Sequence, residues 1–97
     1  DGGPAQEAQL FRPRSIAFDS RNNLFIADEY NDRVRRVDAV TGVITTVAGT
    51  GFAGFSGDGG PSIDAQLFSP GGLAFDKLGN LYIADLINNR VRAVRAP

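Results

Sequence analysis

The sequence predicts an all-β repeat protein in which one small antiparallel unit is used twice. The first observation is an internal repeat: residues 1–40 align with residues 58–97 at a constant offset of 57, with 23 identities among the 40 pairs. The second is that apolar residues come in short runs bounded by turn residues, and helical spacing is nowhere sustained for ten residues. A repeat of about this period is typical of repeat architectures rather than of an enzyme with a single core.

The apolar runs are interpreted as strands a to d in the first copy and a to c in the second. The predicted strands of the first copy are residues 15–19, 23–28, 33–38 and 43–48. Those of the second copy are residues 72–76, 80–85 and 90–95. The total is seven strands, one short of two complete four-stranded units.

The connections between these runs have the composition of tight antiparallel turns. Residues 19–23 and 76–80 are rich in Asp, Asn and Gly, and Thr41-Gly42 separates strands c and d. Strand b is apolar on both faces in both copies, so its sheet must be covered on both sides. A single helical turn is expected after each Pro of the repeat, within residues 4–10 and 61–67.

The strings PRSIAFD (13–19), NLFIAD (23–28) and NDRVRRVD (31–38) resemble the NHL repeat, and residues 70–94 match it better still. Residues 41–51 followed by 54–61 are similar to the longer bacterial version of that repeat. The resemblance covers essentially the whole chain and implies a β-propeller, with one blade per unit and strand a lining the central channel. It implies a first repeat at residues 1–57 with strands a to d, and a second at residues 58–97 that lacks strand d.

Two blades cannot close a ring, because propellers close with about four to eight. Blades bury each other's flat apolar faces, so a pair leaves one such face open at each end. We therefore expect either a piece of a larger propeller or self-association, with three chains and six blades as the simplest closed ring. With only three strands, the second blade would leave the edge of its strand c exposed, or it would borrow a fourth strand. Its arginines at 90, 92 and 95 would discourage uncontrolled pairing.

The composition argues against several classes of partner and chemistry. The formal net charge is -1, so no overall field favours nucleic acid or an anionic membrane. The sequence has no run of about 18 apolar residues, so no transmembrane helix is predicted, and its start does not resemble a signal peptide. With neither His nor Cys, the chain offers no disulfide and no ordinary zinc site, and we expect no metal or cofactor. The start at Asp1 and the lack of Met suggest a processed, excised or engineered fragment. The absence of Cys is compatible with every compartment, so the location stays open, with an extracellular or periplasmic one favoured.

Three motif-like features favour structural interpretations. Residues 49–54 fit G-x-G-x-x-G, but no helix follows, so a glycine-permitted loop is expected instead of a dinucleotide site. Asp28 and Asp85 recur at the end of strand b, which favours turn capping and pairing with Arg33 and Arg90 over calcium binding or acid and base catalysis. The arginines of the two c strands are not interleaved with aromatic residues, so ion-paired or solvated strand faces are expected in preference to RNA binding.

The sequence therefore favours a non-catalytic assembly and protein-interaction scaffold. Two alternatives stay open: an engineered or excised propeller fragment without a ligand, and part of a propeller lyase or hydrolase whose site lies at the assembled channel. A protein partner is expected on the rim formed by the b–c loops and the entries to strand a, where the two copies differ. The candidate binding residues there are Arg14, Glu29, Tyr30, Leu86 and Ile87; unconstrained drift would explain the same differences.

Overall fold

The structure is a computed structural model and describes residues 1–96. It contains two antiparallel sheets whose strands follow each other in chain order. The first sheet consists of β1 (Pro13–Phe18), β2 (Leu24–Asp28), β3 (Arg33–Val37) and β4 (Ile44–Ala48). The second consists of β5 (Pro70–Phe75), β6 (Leu81–Asp85) and β7 (Arg90–Val94). All seven predicted strands are confirmed.

The first strand of each sheet begins two residues earlier than predicted. Pro13 pairs with Asp28, and Pro70 pairs with Asp85, in each case across an irregularity in the register. Proline is tolerated as the first residue of a strand because its missing N–H falls outside the regular ladder. The apolar pattern predicts strand starts at residues 15 and 72, and the structure extends both strands back to the prolines.

Within residues 1–96, three single turns of 3-10 helix lie outside the strands, one before β1 and two in connections between strands. Two of them, Ala5–Glu7 and Ser62–Asp64, directly follow a proline, as expected within residues 4–10 and 61–67. The third, Glu29–Asn31, joins β2 to β3. Each is only three residues long, so these turns shape the connections and do not form a separate layer.

A carboxylate holds the turn between the first two strands of each sheet. The Asp76 carboxylate accepts hydrogen bonds from the backbone N–H of Leu78 and of Asn80, both at 2.9 Å, and from the side chains of Asn80 and Tyr82, both at 3.0 Å. The side-chain hydrogen bond from Asn80 is the main reason that the pKa of Asp76 is lowered. The hydrogen bond that the Tyr82 hydroxyl donates to the same carboxylate raises the pKa of Tyr82. Asp19 accepts the matching backbone and asparagine bonds in the first sheet, where Phe25 stands in place of Tyr82 and offers no hydroxyl. An ionised aspartate therefore stabilises the turn of each hairpin.

The hydrophobic core lies between the two sheets. Its buried members come from both sheets and from the connecting segment: Phe25, Val34, Ala48, Leu67, Leu81 and Ile83. Phe75 of the second sheet packs edge to face on Phe25, with ring centroids 4.7 Å apart. Each sheet thus covers one face of the other, and this shared core fixes their relative orientation.

Candidate functional site

The two repeats differ most in how far equivalent apolar positions are exposed. Val34 of β3 is 0% exposed because it packs into the core between the sheets, whereas Val91, its counterpart on β7, is 72% exposed. Phe25 is 8% exposed, and its counterpart Tyr82 is 38% exposed. We call the surface around Tyr82 and Val91 the trailing face. It is a copy of the face that the first sheet buries against the second, and it has no cover within residues 1–96.

A second open surface lies on the opposite side of the first sheet. Ile16 and Phe18 are 59% and 58% exposed, whereas their counterparts Leu73 and Phe75 pack against the core. We call the surface around Ile16 and Phe18 the leading face. The contact between the two sheets already joins a face of trailing type to a face of leading type, so the two open surfaces are the counterparts of the two sides of that contact.

A buried ionic network supports the first sheet. The fully buried Asp28 carboxylate accepts hydrogen bonds from the Phe11 backbone N–H (2.7 Å), from the Asn31 side chain (2.8 Å) and from Arg35 (3.4 Å). Arg35 also donates to the Asp1 carboxylate at 2.9 Å. These donors compensate the charge of Asp28, which is the condition under which a carboxylate tolerates burial.

The second sheet repeats this network. Asp85 accepts from the Phe68 backbone N–H (2.7 Å), Asn88 (2.7 Å) and Arg92 (3.1 Å), and Arg92 donates to Asp58 at 2.7 Å. Both aspartates thus have a structural role, but the expected capping of the turn that follows is wrong for Asp28, whose carboxylate accepts from no backbone N–H of the Glu29–Asn31 turn and instead from the distant Phe11 N–H.

The expected arginine partners of these aspartates were wrong. Arg33 lies directly opposite Asp28 in the ladder, but its guanidinium reaches away to the Thr50 carbonyl at 3.2 Å. Arg90 likewise turns to its neighbours, donating to the Asn88 carbonyl and stacking over Phe55. Arginine is long enough to reach past its cross-strand neighbour, so the ladder register alone does not fix its partner.

The arginines of β3 and β7 therefore do not form one exposed basic stripe. Arg35 and Arg92 are buried and ion-paired, and Arg36 pairs with Asp38 at 3.2 Å. Within residues 1–96 no group of three His, Cys, Asp or Glu side chains is arranged to hold a metal ion. Among the helical segments of the same residues, none has the length and hydrophobicity needed to cross a membrane.

The predicted rim residues of the first repeat meet in an ion-paired cluster. Glu29 is buried and accepts a hydrogen bond from Arg14 at 3.2 Å. The Arg12 Nε atom also lies 3.0 Å from Glu29 Oε1, an ion pair whose angle does not make a hydrogen bond. Arg14 and Glu29 thus hold the rim together, and the exposed guanidinium groups form its polar surface.

Arg14 also lies beside the rim of the second repeat. A Cβ atom at Gly71 would come within 2.4 Å of Leu86 Cδ1 and 3.4 Å of Arg14 Cδ, so these side chains converge over the glycine. The absence of a side chain at Gly71 therefore creates the space that Leu86 occupies. Leu86 and the neighbouring Ile87 are both exposed.

Tyr30 belongs to an aromatic group that sequence reasoning did not include. The Phe11 ring packs edge to face on Tyr30 with centroids 5.1 Å apart, and the Arg12 guanidinium lies 5.1 Å from the Tyr30 ring centroid. Phe11 and Tyr30 are exposed. The difference between Arg12 and its counterpart Ser69 could have indicated Arg12, whereas Phe11 is unchanged in the second repeat and gave no signal.

The chain is similar in sequence to parts of much longer proteins. It is 35% identical over 92 residues to Protein SUPPRESSOR OF QUENCHING 1, chloroplastic, of Arabidopsis thaliana, covering 95% of this chain and 8% of that protein. It is 37% identical over 102 residues to Teneurin-1 of Mus musculus, covering 93% and 4% respectively. It is 33% identical over 67 residues to NHL repeat-containing protein 2 of Gallus gallus, covering 69% and 9%. The chain thus spans less than a tenth of each of these relatives, and no family model matches it.

Two solved structures share the fold. A protein of unknown function from Bacteroides thetaiotaomicron superposes with a TM-score of 0.87 at 25% identity, over 96% of this chain and 23% of that one. An auxiliary nutrient binding protein from Bacteroides ovatus gives a TM-score of 0.69 at 23% identity, over 95% and 24%. This second likeness concerns the fold alone.

The two antiparallel sheets have their strands in chain order, pack face to face and are related by a sequence repeat. This arrangement defines the class of the β-propellers: each sheet is one blade, and the second blade has three strands. With the similarity to NHL repeat-containing protein 2 and to the Bacteroides structures, the chain is an NHL-type propeller fragment. The family resemblance of the sequence is confirmed.

Proposed function

We propose that the chain is a non-catalytic propeller unit that works as an assembly module and protein-interaction scaffold. In this proposal the leading face of one chain docks on the trailing face of the next, and three chains close a six-bladed ring. The observation that carries the proposal is the matched exposure of the repeats: Val34 is covered and Val91 is open, while Phe75 is covered and Phe18 is open.

The geometry of such a ring needs no new kind of contact. Each junction between chains would copy the blade junction inside the chain, with Tyr82 and Val91 in the roles of Phe25 and Val34. A head-to-tail junction uses two different surfaces, so it propagates until the rotation between blades closes the ring. Association would remove four large apolar side chains from water at each junction, and this burial is its driving force.

A pair of blocked variants tests this arrangement. Val91→Arg should disable only the trailing face, and Phe18→Arg only the leading face, because each places a charge at the centre of one junction. Each variant alone should be a monomer. An equimolar mixture should form a complex of two chains, since one intact leading face and one intact trailing face remain.

The same variants also distinguish a head-to-tail junction from a symmetric one. A symmetric junction, in which like faces meet, would let each variant dimerise alone through its intact face. Val40→Arg is the matched control, because Val40 is exposed outside both faces and its variant should assemble as the wild type does. If the mixture stays monomeric while the wild type assembles, the head-to-tail proposal is wrong.

The rim carries the protein-interaction part of the proposal. The five predicted residues offer an exposed aromatic ring at Tyr30, exposed aliphatic side chains at Leu86 and Ile87, and the arginine of the Arg14 to Glu29 pair. Aromatic and arginine side chains beside apolar ones are the groups enriched where proteins bind each other. The cluster is held rigid by its ion pairs, so binding would cost little ordering of the surface.

Peptides selected from a random library against the wild-type chain provide a test of the rim. Selected peptides should lose at least tenfold in affinity for a Tyr30→Ser, Ile87→Ser double variant. They should bind a Val40→Ser variant unchanged, because this control removes an exposed apolar side chain elsewhere. Equal binding to all three proteins would contradict a rim site.

The non-catalytic part of the proposal is supported by how the carboxylates are used. The recurring buried aspartates are each bonded to a backbone amide, an asparagine and an arginine, which leaves no free base. The sequence also has no histidine or cysteine to act as a nucleophile or proton carrier.

A further inference from the structure

The rim has two halves of different chemistry, because the two blades carry different residues at equivalent positions. The pairs that differ are Arg14 and Gly71, Glu29 and Leu86, and Tyr30 and Ile87. The half supplied by the first blade is therefore charged, and the half supplied by the second blade is aliphatic.

The charged half presents positive groups to solvent. The guanidinium groups of Arg12 and Arg14 share the single carboxylate of Glu29. The two arginine side chains are 56% and 49% exposed, whereas the Glu29 side chain is 6% exposed. The cations thus face solvent while the carboxylate that holds them does not, so the local field at the surface favours an anion.

Arg14 keeps hydrogen-bond donors for such an anion. Within residues 1–96 it donates one hydrogen bond, from Nη1 to Glu29 at 3.2 Å. A guanidinium has five N–H donors, so most of those of Arg14 remain available to a ligand. Two parallel donors of a guanidinium match the two oxygens of a carboxylate.

The aliphatic half begins directly beside Arg14. A Cβ atom at Gly71 would lie 2.4 Å from Leu86 Cδ1 and 3.4 Å from Arg14 Cδ, so both side chains cover the same glycine. Leu86 and Ile87 are 39% and 55% exposed. Residues two positions apart in an extended peptide point to the same side and lie about 7 Å from each other. One short peptide segment can therefore reach both halves at once.

We propose that the rim binds an acidic segment of a partner protein. An Asp or Glu side chain of that segment docks on Arg14, and an apolar side chain two residues away docks on Leu86 and Ile87. The inference rests on the proposed function of the rim and adds the chemistry of its partner. Charge complementarity selects the carboxylate, because the exposed charges of the cluster are cations and its own carboxylate is buried. A nucleic acid fits less well, because the side chain beside Arg14 is the aliphatic Leu86 and not a stacking platform.

The test titrates the capped peptide Ser-Ser-Glu-Ser-Leu-Ser into the isotopically labelled full chain and follows it by NMR. Shifts should change saturably and be centred on Arg14, Gly71, Leu86 and Ile87. The same peptide with Gln in place of Glu should bind about tenfold more weakly, because an amide cannot form the charge-assisted pair. The peptide with Ala in place of Leu should also bind more weakly, by at least threefold, because its apolar contact is lost.

A matched pair of protein variants assigns the preference for the acid to Arg14. Arg14→Gln should reduce the preference for the Glu peptide over the Gln peptide at least threefold. Arg21→Gln makes the same change in net charge, but Arg21 lies in the turn between β1 and β2, at the opposite end of the sheet from the rim. Its preference should equal that of the wild type. The peptide comparison needs no change in the protein, so it decides the question even if Arg14→Gln fails to fold.

Four outcomes would overturn the acidic partner. They are no saturable binding, shifts centred away from the rim, equal binding of the Glu and Gln peptides, and tighter binding at Arg14 of an RNA of eight uridines than of the Glu peptide. Library peptides that bind the rim without an acidic residue would also overturn it, but they would leave the rim site of the proposed function in place. Library peptides that bind without any dependence on Tyr30 and Ile87 would remove both.

Discussion

Replacing one valine in each blade measures how much the junction between the blades contributes to the free energy of unfolding. Val34→Ala should reduce the free energy of unfolding by about 2 to 3 kcal/mol. The deletion removes the equivalent of two buried methylenes at about 0.8 kcal/mol each, and the cavity adds the rest. Val91 is 72% exposed, so Val91→Ala should cost about 0.5 kcal/mol or less in the dilute chain.

The assay is urea unfolding followed by circular dichroism, repeated over a wide range of protein concentrations. At concentrations where the wild type assembles, Val91 becomes a junction residue. Val91→Ala should then weaken association about tenfold per junction, since roughly 1.4 kcal/mol corresponds to a factor of ten. Equal losses for the two variants in dilute solution would refute the assignment of the open face. So would a Val91 variant that assembles as tightly as the wild type.

Three further predictions follow from single features of the structure. Asp85→Ala should cost about 3 to 5 kcal/mol in urea unfolding because it removes the buried carboxylate that accepts from the Phe68 N–H, Asn88 and Arg92, and leaves Arg92 with only the exposed Asp58 as an ionic partner. Asp85→Asn should cost less, and a loss under about 1 kcal/mol would contradict the network. The pKa of Asp76 is lowered in the folded chain, so its stabilisation is present above about pH 4 and is lost as the pH falls below that value. A urea midpoint that does not fall from pH 6 to pH 3, or that falls equally in an Asp76→Asn variant, would contradict this. Gly49→Ala should destabilise the chain by more than about 1 kcal/mol in thermal unfolding, since its φ is +94° and a Cβ would lie 2.4 Å from the Asp32 carbonyl oxygen. Gly42→Ala meets no atom within 4 Å and should cost less, so the opposite order would refute the clash.

The fold was readable from the sequence because local signals agree with the repeat. Strand bounds were correct to within two residues, and both hairpins were placed by their Asp and Asn residues. The two largest errors at strand starts came from Pro13 and Pro70, whose pairing depends on a register shift that composition does not reveal. Periodicity therefore fixed the elements, and tertiary pairing fixed their ends.

The side-chain contacts of the candidate site were less predictable, because the partner of a long side chain depends on the tertiary structure and not on the strand register alone. The aspartates at 28 and 85 were correctly assigned to a structural role, but their arginine partners lie seven residues on rather than five. Glu29 was proposed as a surface residue and is a buried anchor for two arginines. The open faces were expected, yet only the paired exposures of Val34 and Val91 show which surface matches which.

The molar mass of the wild-type chain in solution, measured by light scattering across a dilution series, tests the central claim most directly. We expect a species of three times the 10.3 kDa chain at high concentration, dissociating to single chains on dilution. A cooperatively folded particle of one chain mass at every concentration, with Ile16, Phe18 and Val91 left in water, would contradict the account.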